Sequence, residues 1–354
     1  MFVLIDHVVA NIRKFLDSFN KWLATDECKE FQKKRKERGD EFKNLLGRDA
    51  IEQLSEPDFR HIISSLWAYA GRTNKDYFAN RILKNTDFNT LKSELKNLLY
   101  GRDPLAKRYD RFFETVKGIG PAGVTEILAF VDPSQYGIWN DKSRKALDIL
   151  GLREILPTKK YKISGSEYEK FVEVLKSIFK VIEPNKSEPD LLHVDLFLWF
   201  IAAKKVEEVN TEEEEGYDFD HDEIVEKLIE LGTGLGFEAS SEVQIAKGAR
   251  VDVLWQAKIA NLGVVSYVVE VQRGGSIDSL ILNLQRAKNN PTVQKLVVVA
   301  NAKDLKRVRN EVESLSEEFR KSIAYMEVKD VMRASELLSE LNGIISKLEL
   351  VKSF

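Results

Sequence analysis

Apolar residues recur at intervals of three and four through most of the first 205 residues, and this spacing is typical of amphipathic helices. The pattern is clearest in the segments 2–23, 59–70 and 91–100. Clusters of Gly, Pro and Ser between such segments predict helix ends, at 55–57, 101–104 and 118–123. No stretch of this half alternates between apolar and polar residues, so an all-α bundle is predicted.

After residue 221 the pattern changes to short runs rich in Val and Ile. Strands are predicted at 242–246, 250–256, 264–272, 295–301 and 323–328. Helices are predicted at 222–232, 276–289, 303–322 and 329–347. The run 264–272 is almost continuously apolar, as expected for a strand that is buried on both faces. Helices interspersed with a mixed sheet predict an α/β domain.

Charge marks the boundary between the two halves. The net charge of −3 hides a segment, 207–223, with ten acidic residues and no Lys or Arg. Residues 1–206 contain 36 Lys and Arg against 30 Asp and Glu, and residues 224–354 contain 18 against 17. Both blocks are therefore slightly basic, and the overall charge does not exclude a DNA partner. We predict a helical domain at 1–206, an acidic linker at 207–221 and an α/β domain at 222–354.

Composition excludes several other classes of protein. With 43% hydrophobic and 31% charged residues, the chain is typical of globular proteins. The single Cys28 and four scattered histidines indicate neither a disulfide framework nor a zinc site. The longest apolar run, 191–203, contains Asp195 and is shorter than the ~20 residues that span a bilayer. The first residues lack the basic start of an export signal, so a cytoplasmic protein without membrane partners is predicted.

Two carboxylates lie within predicted strands of the α/β domain. Asp252 interrupts the apolar run 250–256, and Glu270 lies near the end of 264–272. Burying a carboxylate without compensation is costly. A divalent cation such as Mg²⁺ or Mn²⁺ would compensate both, whereas hydrogen bonds to backbone amides or an arginine are the alternative. Gln272 is two residues beyond Glu270, so both side chains leave the same face of the strand.

This arrangement resembles the PD-(D/E)xK nuclease superfamily, which has the restriction-endonuclease-like fold. The family pattern is a helix that carries an acid, a hairpin with a catalytic Asp, and (D/E)-x-K on the next strand. Here it corresponds to the helix 222–232, Asp252 and Glu270-Val271-Gln272. The resemblance covers roughly residues 222–300, including Gly236-Phe237, which is similar to a turn in archaeal Holliday-junction resolvases.

The resemblance implies a role for each of these residues. Asp252, Glu270 and the carbonyl of Val271 would bind the metal ion, and Glu226, or Glu223 one turn away, would complete the acidic set. Most members have lysine where this chain has Gln272, which would orient the attacking water without supplying a charge.

The predicted helix 276–289 has one polar side, which is a candidate for phosphate contacts or simply solvated surface. Gly274 and Gly275 before it would let the backbone approach a ligand or form an ordinary turn. The candidate DNA-binding residues here are Arg273, Ser276, Ser279, Asn283 and Arg286.

In the helical half, the segment 112–130 is similar to the helix-hairpin-helix of DNA repair proteins, with a Gly-Ile-Gly turn between two helices. Backbone amides at the start of the second helix can receive a phosphate oxygen, although a plain helix connection has the same pattern. Candidate DNA-binding residues are Lys117, Gly118, Gly120, Gly123, Lys142, Arg144 and Lys145, with Lys107, Arg108 and Arg111 nearby.

The same region also resembles helix-hairpin-helix DNA glycosylases, whose catalytic Asp follows the hairpin by about twenty residues. Asp141 has that position here, but it is also a candidate for capping the helix that follows. Ala122 or its neighbours stand where bifunctional members have lysine, so lyase chemistry is not implied.

The sequence therefore predicts a multidomain protein with an all-α helix-hairpin-helix domain and an α/β restriction-endonuclease-like domain with a mixed central sheet. The predicted activity is metal-dependent endonucleolytic hydrolysis of DNA, related to restriction or DNA repair. A glycosylase that uses Asp141, and a non-catalytic DNA-binding protein with a degenerate nuclease fold, are the alternatives. By analogy with the family, a homodimer is possible.

Overall fold

A computed structural model describes residues 2–69, 75–208, 219–259 and 263–346. These residues divide into two compact units. The helical unit contains the described residues up to 208, and the sheet unit contains those from 219 onward. Most of the predicted acidic linker 207–221 lies outside the described residues; its first two residues end a helix, and Phe219 and Asp220 precede another.

Among its described residues, the helical unit contains α-helices and no strand. The helices are α1 (Asp6–Leu23), α2 (Asp26–Leu46), α3 (Glu56–Ser65), α4 (Lys75–Asn85), α5 (Phe88–Tyr100), α6 (Leu105–Thr115), α7 (Pro121–Val131), α8 (Asp141–Ile149), α9 (Gly165–Ile182) and α10 (Leu191–Glu208). Ser55 begins α3 and Ser164 begins α9 with reciprocal capping hydrogen bonds. The predicted helix 59–70 stops at Ser65, because Leu66 is extended and a short 3₁₀ turn, Trp67–Tyr69, follows.

Buried ionic groups hold this unit together beside its apolar core. The acidic residue within the run 191–203, Asp195, is mostly buried and accepts a hydrogen bond from the buried Arg35 guanidinium of α2. Glu126 of α7 is also buried and accepts the N–H groups of Trp67 at 2.6 Å and Ala68 at 2.7 Å. The Arg38 guanidinium lies 3.9 Å from this carboxylate and 4.4 Å from the Trp67 ring centroid. Paired in this way, the charged groups link α2, α7 and α10.

The sheet unit is built on five strands in the spatial order β1-β2-β3-β4-β5. The strands β1, β2 and β3 are antiparallel, whereas β3, β4 and β5 are parallel. In chain order the elements are α11 (His221–Gly234), β1 (Glu238–Ala246), β2 (Ala249–Ile259), β3 (Gly263–Val271), α12 (Ile277–Lys288), β4 (Val293–Ala300), α13 (Ala302–Glu313), α14 (Glu317–Ser322), β5 (Ile323–Glu327) and α15 (Val328–Ser346). The coarse prediction, a helical unit followed by an α/β unit with a mixed sheet, agrees with this arrangement.

Helices cover both faces of the sheet. Leu254 and Val268 pack with Leu280 and Leu284 of α12 in one apolar cluster. The next residue of β2, Trp255, points to the opposite face, where its indole N–H donates to the Leu228 carbonyl of α11. With helices on both faces, the polar residues of the inner strands can be reached only near the strand ends.

The predicted helix 303–322 is two helices. The first ends at Glu313, and Ser316 begins the second by accepting the N–H of Phe319. Because serine favours such capping hydrogen bonds over helix interiors, the break follows from the local sequence. Within the described ranges, every helix is too short or too polar to cross a membrane.

The buried Glu126 predicts a pH dependence of stability. Burial raises its pKa from 4.5 to about 7, although the N–H groups of Ala68 and Trp67 and the Arg38 charge act in the opposite direction. Between pH 4.5 and 7 the folded state therefore binds more protons than the unfolded state, and the free energy of unfolding falls as pH rises, by roughly 3 kcal/mol. We expect Glu126→Gln to remove this decrease.

The measurement is urea denaturation from pH 4 to 8, followed by tryptophan fluorescence, since four of the five tryptophans lie in the helical unit. Glu114→Gln, at an exposed position of α6, is the matched control and should keep the wild-type slope. An unchanged slope in the Glu126 variant would contradict the assignment.

Candidate active site

The two strand carboxylates lie side by side where β2 and β3 separate. The antiparallel pairing of these strands ends at Val253 and Val269. Asp252 and Glu270 are the next residues on each strand, and their carboxyl groups lie close enough for the Asp252 charge to raise the pKa of Glu270. The structure thus brings together the two residues that the sequence selected.

Asp252 occupies the gap between the separating strands. Its Oδ2 accepts the backbone N–H of Val271 at 2.8 Å and lies 3.3 Å from His221 Nε2. Burial alone would raise the pKa of Asp252, but the contacts with His221 and the Val271 N–H outweigh burial and hold the pKa below its usual value. Asp252 is therefore the ionised member of the pair.

Glu270 is buried, and its Oε1 accepts a hydrogen bond from Asn283 Nδ2 at 2.6 Å. Burial and the neighbouring Asp252 charge raise the pKa of Glu270 far above its usual range. Two adjacent carboxylates repel each other, so in this arrangement they share one proton. A bound cation would allow both to ionise.

His221 is the site residue that sequence reasoning missed. It is the first residue of α11, after Asp220, whose side chain caps the helix. Its Nδ1 lies 3.4 Å from Asp222 Oδ1, and contact with Asp222 and Asp252 raises its pKa to about 10. In the sequence, one feature could have indicated His221: it directly precedes the predicted helix 222–232, which corresponds to the acid-bearing helix of the nuclease pattern.

The chemistry of these donors fits a divalent cation. Among the described residues, no group of three or more His, Cys, Asp and Glu side chains is arranged to hold a metal ion. Mg²⁺, however, is usually bound by one or two carboxylates, with waters and substrate oxygens as its other ligands. The N–H and C=O of a strand residue point to the same side, so the Val271 carbonyl also faces the Asp252 side of β3. Two carboxyl groups and a carbonyl oxygen are thus available.

The other predicted catalytic residues lie on α11 and at the end of β3. Glu226 is five residues beyond His221, about 7.5 Å along the helix axis. Glu223 is buried, and its backbone N–H donates to Asp220 at 3.2 Å. Gln272 leaves β3 just after Val271, and its side-chain amide donates to the carbonyl of Gly274 in the following turn.

The residues of α12 that were predicted to contact DNA make contacts within the unit. Asn283 donates to Glu270 and, at 2.7 Å, to the Arg250 carbonyl. Arg286 donates to the Gly248 carbonyl at 3.0 Å, and Ser276 caps α12 by accepting the Ser279 N–H. Arg273 is exposed in the turn between β3 and α12.

In the helical unit, α6 and α7 form the predicted helix pair around Gly118 and Gly120. Gly118 has a φ of +91°, and its carbonyl accepts the Arg81 guanidinium of α4 at 2.8 Å. Gly120 begins α7 without a side-chain cap, and a Cβ there would collide with the Tyr161 hydroxyl. Gly123 is buried within α7, and Lys117 is exposed with its Nζ 2.7 Å from the Phe113 carbonyl.

Several nearby cations are engaged by acids of the same unit. Lys145 Nζ lies 3.1 Å from Asp141, and the buried Arg144 lies 3.6 Å from it. Lys142 is partly buried in the same helix. The residue that caps α8 is Asn140, which accepts the Ser143 N–H at 2.8 Å, so Asp141 is not the cap. Arg111 donates to the buried Glu94 of α5 at 2.7 Å.

No family model, curated protein or solved structure matches this chain.

The contacts of Asn283 predict a positioning role within the sheet unit. Asn283→Leu would remove the side-chain donor to the Glu270 carboxyl and the Arg250 carbonyl, and we expect a loss of about 1–3 kcal/mol of stability. Native-state hydrogen exchange of the β2 and β3 amides, followed by mass spectrometry, measures this loss. Gln285→Leu, exposed on the same helix, is the control. If both variants exchange like the wild type, the hydrogen bonds of Asn283 do not support the site.

Proposed function

We propose that this protein is a divalent-metal-dependent DNA nuclease, with its active site at the separating ends of β2 and β3. One observation carries the proposal: Asp252 and Glu270 are neighbours on two paired strands, and they lie close enough for the Asp252 charge to raise the pKa of the buried Glu270. Repulsion between two adjacent carboxylates does not stabilise the folded domain. The same two carboxylates can, however, bind a cation together, which gives their proximity a functional reason.

Asp252, Glu270 and the carbonyl of Val271 would hold Mg²⁺ or Mn²⁺. The bound ion would neutralise charge on the scissile phosphate and acidify a water. The hydrogen bond from Asn283 orients Glu270 toward Asp252, and the Val271 N–H fixes Asp252. Gln272 follows on the same strand and would hydrogen-bond the attacking water once its amide leaves the Gly274 carbonyl. Glu226 would assist from α11.

The helical unit would supply affinity for DNA without sequence recognition. The uncapped start of α7 offers backbone amides, and the exposed Lys117 adds a positive charge beside them. Since both units belong to one chain, DNA bound by the hairpin would have a high local concentration at the nuclease site.

The first test of this proposal is DNA cleavage by the purified 354-residue chain with Mg²⁺ or Mn²⁺. We expect Asp252→Asn and Glu270→Gln to lower the cleavage rate by about 100-fold or more, because each 1.4 kcal/mol of lost transition-state stabilisation costs a factor of ten. Binding of DNA should be retained, and a chelator should stop cleavage.

Asp278→Asn changes an exposed acid on α12 and is the matched control, with an expected wild-type rate. If Asp141→Asn loses activity and a chelator does not affect the wild type, the protein is a glycosylase and the nuclease proposal is wrong. If the wild-type protein binds DNA but does not cleave it with any divalent metal ion, the alternative of a degenerate, non-catalytic nuclease fold is favoured.

The second test concerns the hairpin. Lys117→Gln should weaken binding to DNA of any sequence and reduce the slope of log affinity against log salt by about one. Fluorescence anisotropy with labelled duplexes between 50 and 200 mM salt measures both quantities, a range in which phosphate contacts dominate. Lys29→Gln removes an exposed charge from α2 and should change neither. Equal effects of the two variants would indicate that the hairpin is not the anchor.

A further inference from the structure

We propose that the end of the β1–β2 hairpin, residues 242–251, binds the phosphates that flank the scissile bond. We call this segment the arm. The inference rests on the proposed nuclease function and adds the surface that holds the DNA strand beside the carboxyl pair. Lys247 and Arg250 of the arm, together with Arg286 of α12, make the phosphate contacts.

The arm projects beyond the carboxyl pair. The pairing of β1 with β2 continues to Ala246 and Ala249, whereas the pairing of β2 with β3 ends at Val253. The paired strands therefore continue past Asp252 for about 10 Å, at roughly 3.3 Å per residue. One strand of duplex DNA has a phosphate about every 3.4 Å along the helix axis. The arm is thus long enough to follow about three phosphates.

Arg250 lies on the part of the arm next to the carboxyl pair. It is two residues before Asp252 on β2, and its side chain is 66% exposed. Its neighbours Ala249 and Val251 are buried in the apolar cluster with α12, so the alternation of a strand directs Arg250 to the opposite face. That face is covered by α11, whose residue His221 contacts Asp252. Arg250 is therefore directed to the side of the sheet from which α11 contacts the site.

Glu242 holds the Arg250 guanidinium in place. Nη2 of Arg250 donates to Glu242 Oε2 at 2.6 Å, and Nε donates to the Glu242 backbone carbonyl at 3.3 Å. Glu242 has a φ of +54°, and it is the one non-glycine residue with positive φ in the described part of the chain. Such a backbone conformation is unfavourable and persists where surrounding contacts require it. A guanidinium has five N–H groups, and Glu242 engages two of them, so the others can donate to a phosphate.

The tip of the arm has two further cations. Lys247 is exposed beside Gly248, whose φ of +73° allows the tight turn between the strands. Arg286 of α12 donates from Nη1 to the Gly248 carbonyl at 3.0 Å. Within residues 242–251 there are two basic residues and one acidic residue, and Arg286 adds a third positive charge at the tip. This excess of positive charge favours a polyanion as the ligand.

Hydrogen bonds from α12 fix the arm relative to the active site. Asn283 donates to the Arg250 carbonyl at 2.7 Å and to the Glu270 carboxyl at 2.6 Å, so one side-chain amide joins the arm to the carboxyl pair. Arg286 follows about one helical turn later and binds the tip. A DNA strand that binds the arm is therefore positioned with respect to Asp252 and Glu270.

The first measurement is the affinity of the 354-residue chain for DNA without divalent metal, by fluorescence anisotropy with a labelled duplex between 50 and 200 mM salt. We expect Lys247→Gln/Arg250→Gln to weaken binding by about tenfold or more, because each residue loses a charged hydrogen bond to phosphate. The slope of log affinity against log salt should fall by about two, since each phosphate contact contributes about 0.9.

Glu242→Gln should have the opposite effect. It removes the acid that competes with phosphate for Arg250, and we expect DNA to bind about two- to fivefold more tightly, the range for loss of an exposed ion pair. A purely structural role of the Arg250–Glu242 pair predicts no such gain.

Lys258 and Glu238 form a matched control pair on the same two strands. They lie 3.4 Å apart and are exposed to a similar extent, but Lys258 is about 26 Å along β2 from Arg250. Lys258→Gln and Glu238→Gln should each keep the wild-type affinity and salt slope.

The second measurement is DNA cleavage with Mn²⁺. Contacts with flanking phosphates are the same in the ground state and the transition state. Lys247→Gln/Arg250→Gln should therefore raise KM by about tenfold and keep kcat within about twofold of wild type.

The outcomes separate this inference from the nuclease proposal. If the wild type cleaves DNA and the double variant has the same affinity and KM, the arm is not a DNA-binding surface and the nuclease proposal stands. A weaker affinity of Glu242→Gln, equal effects of Lys258→Gln, or a fall in kcat at unchanged KM would each contradict the flanking role of the arm.

If the wild type cleaves no DNA with any metal but the double variant loses affinity, the nuclease proposal fails and the arm remains a DNA-binding surface. A wild type that neither binds nor cleaves DNA overturns both.

Discussion

Repulsion between two carboxyl groups is the constraint around which the sheet unit is organised. Asp252 and Glu270 are neighbours across β2 and β3, and regular pairing of these strands stops one residue before them. The unit compensates with a backbone amide from Val271, a side-chain amide from Asn283 and an imidazole from His221. These three donors come from β3, α12 and α11, so the elements on both faces of the sheet converge on one pair of acids. The pairing of β2 with β3 does not by itself require donors from these three elements.

The donors also distinguish the two acids. Asp252 accepts the Val271 N–H, contacts the His221 imidazole and is ionised. Glu270 is more deeply buried, and the neighbouring Asp252 charge favours its protonated form. A divalent cation would exchange the shared proton for a stronger compensating charge, which couples metal binding to proton release.

In the helical unit, similar compensation uses charges that the sequence suggested for DNA. Arg111 pairs with the buried Glu94, and Arg144 and Lys145 surround Asp141. Counting basic residues therefore overestimates the positive surface near the hairpin. The features that still favour phosphate binding there are local: the glycine turn, the uncapped start of α7 and Lys117. The helix-hairpin-helix and nuclease assignments remain proposals that rest on such residues.

Periodicity in the sequence was sufficient to predict most elements, because apolar spacing reflects which face of a helix or strand is buried. All five predicted strands and the mixed sheet agree with the structure. The helix 303–322 was predicted as one element because its apolar spacing continues across Ser316, although serine at that position also favours the start of a new helix. Asn283 was assigned to a DNA-facing surface because helical spacing shows which residues share a side, but not what that side faces.

The sequence alone determined the two carboxylates, since an acid inside an apolar strand is conspicuous without any coordinates. It could not choose the residue that α11 contributes, because the rotation of a helix about its axis and its height above the sheet depend on packing against distant residues. The tertiary structure decided in favour of contact between His221 and Asp252, 31 positions apart in the chain. It also decided which cations face acids of their own unit, because ion pairs form between groups that only folding brings within a few ångströms of each other.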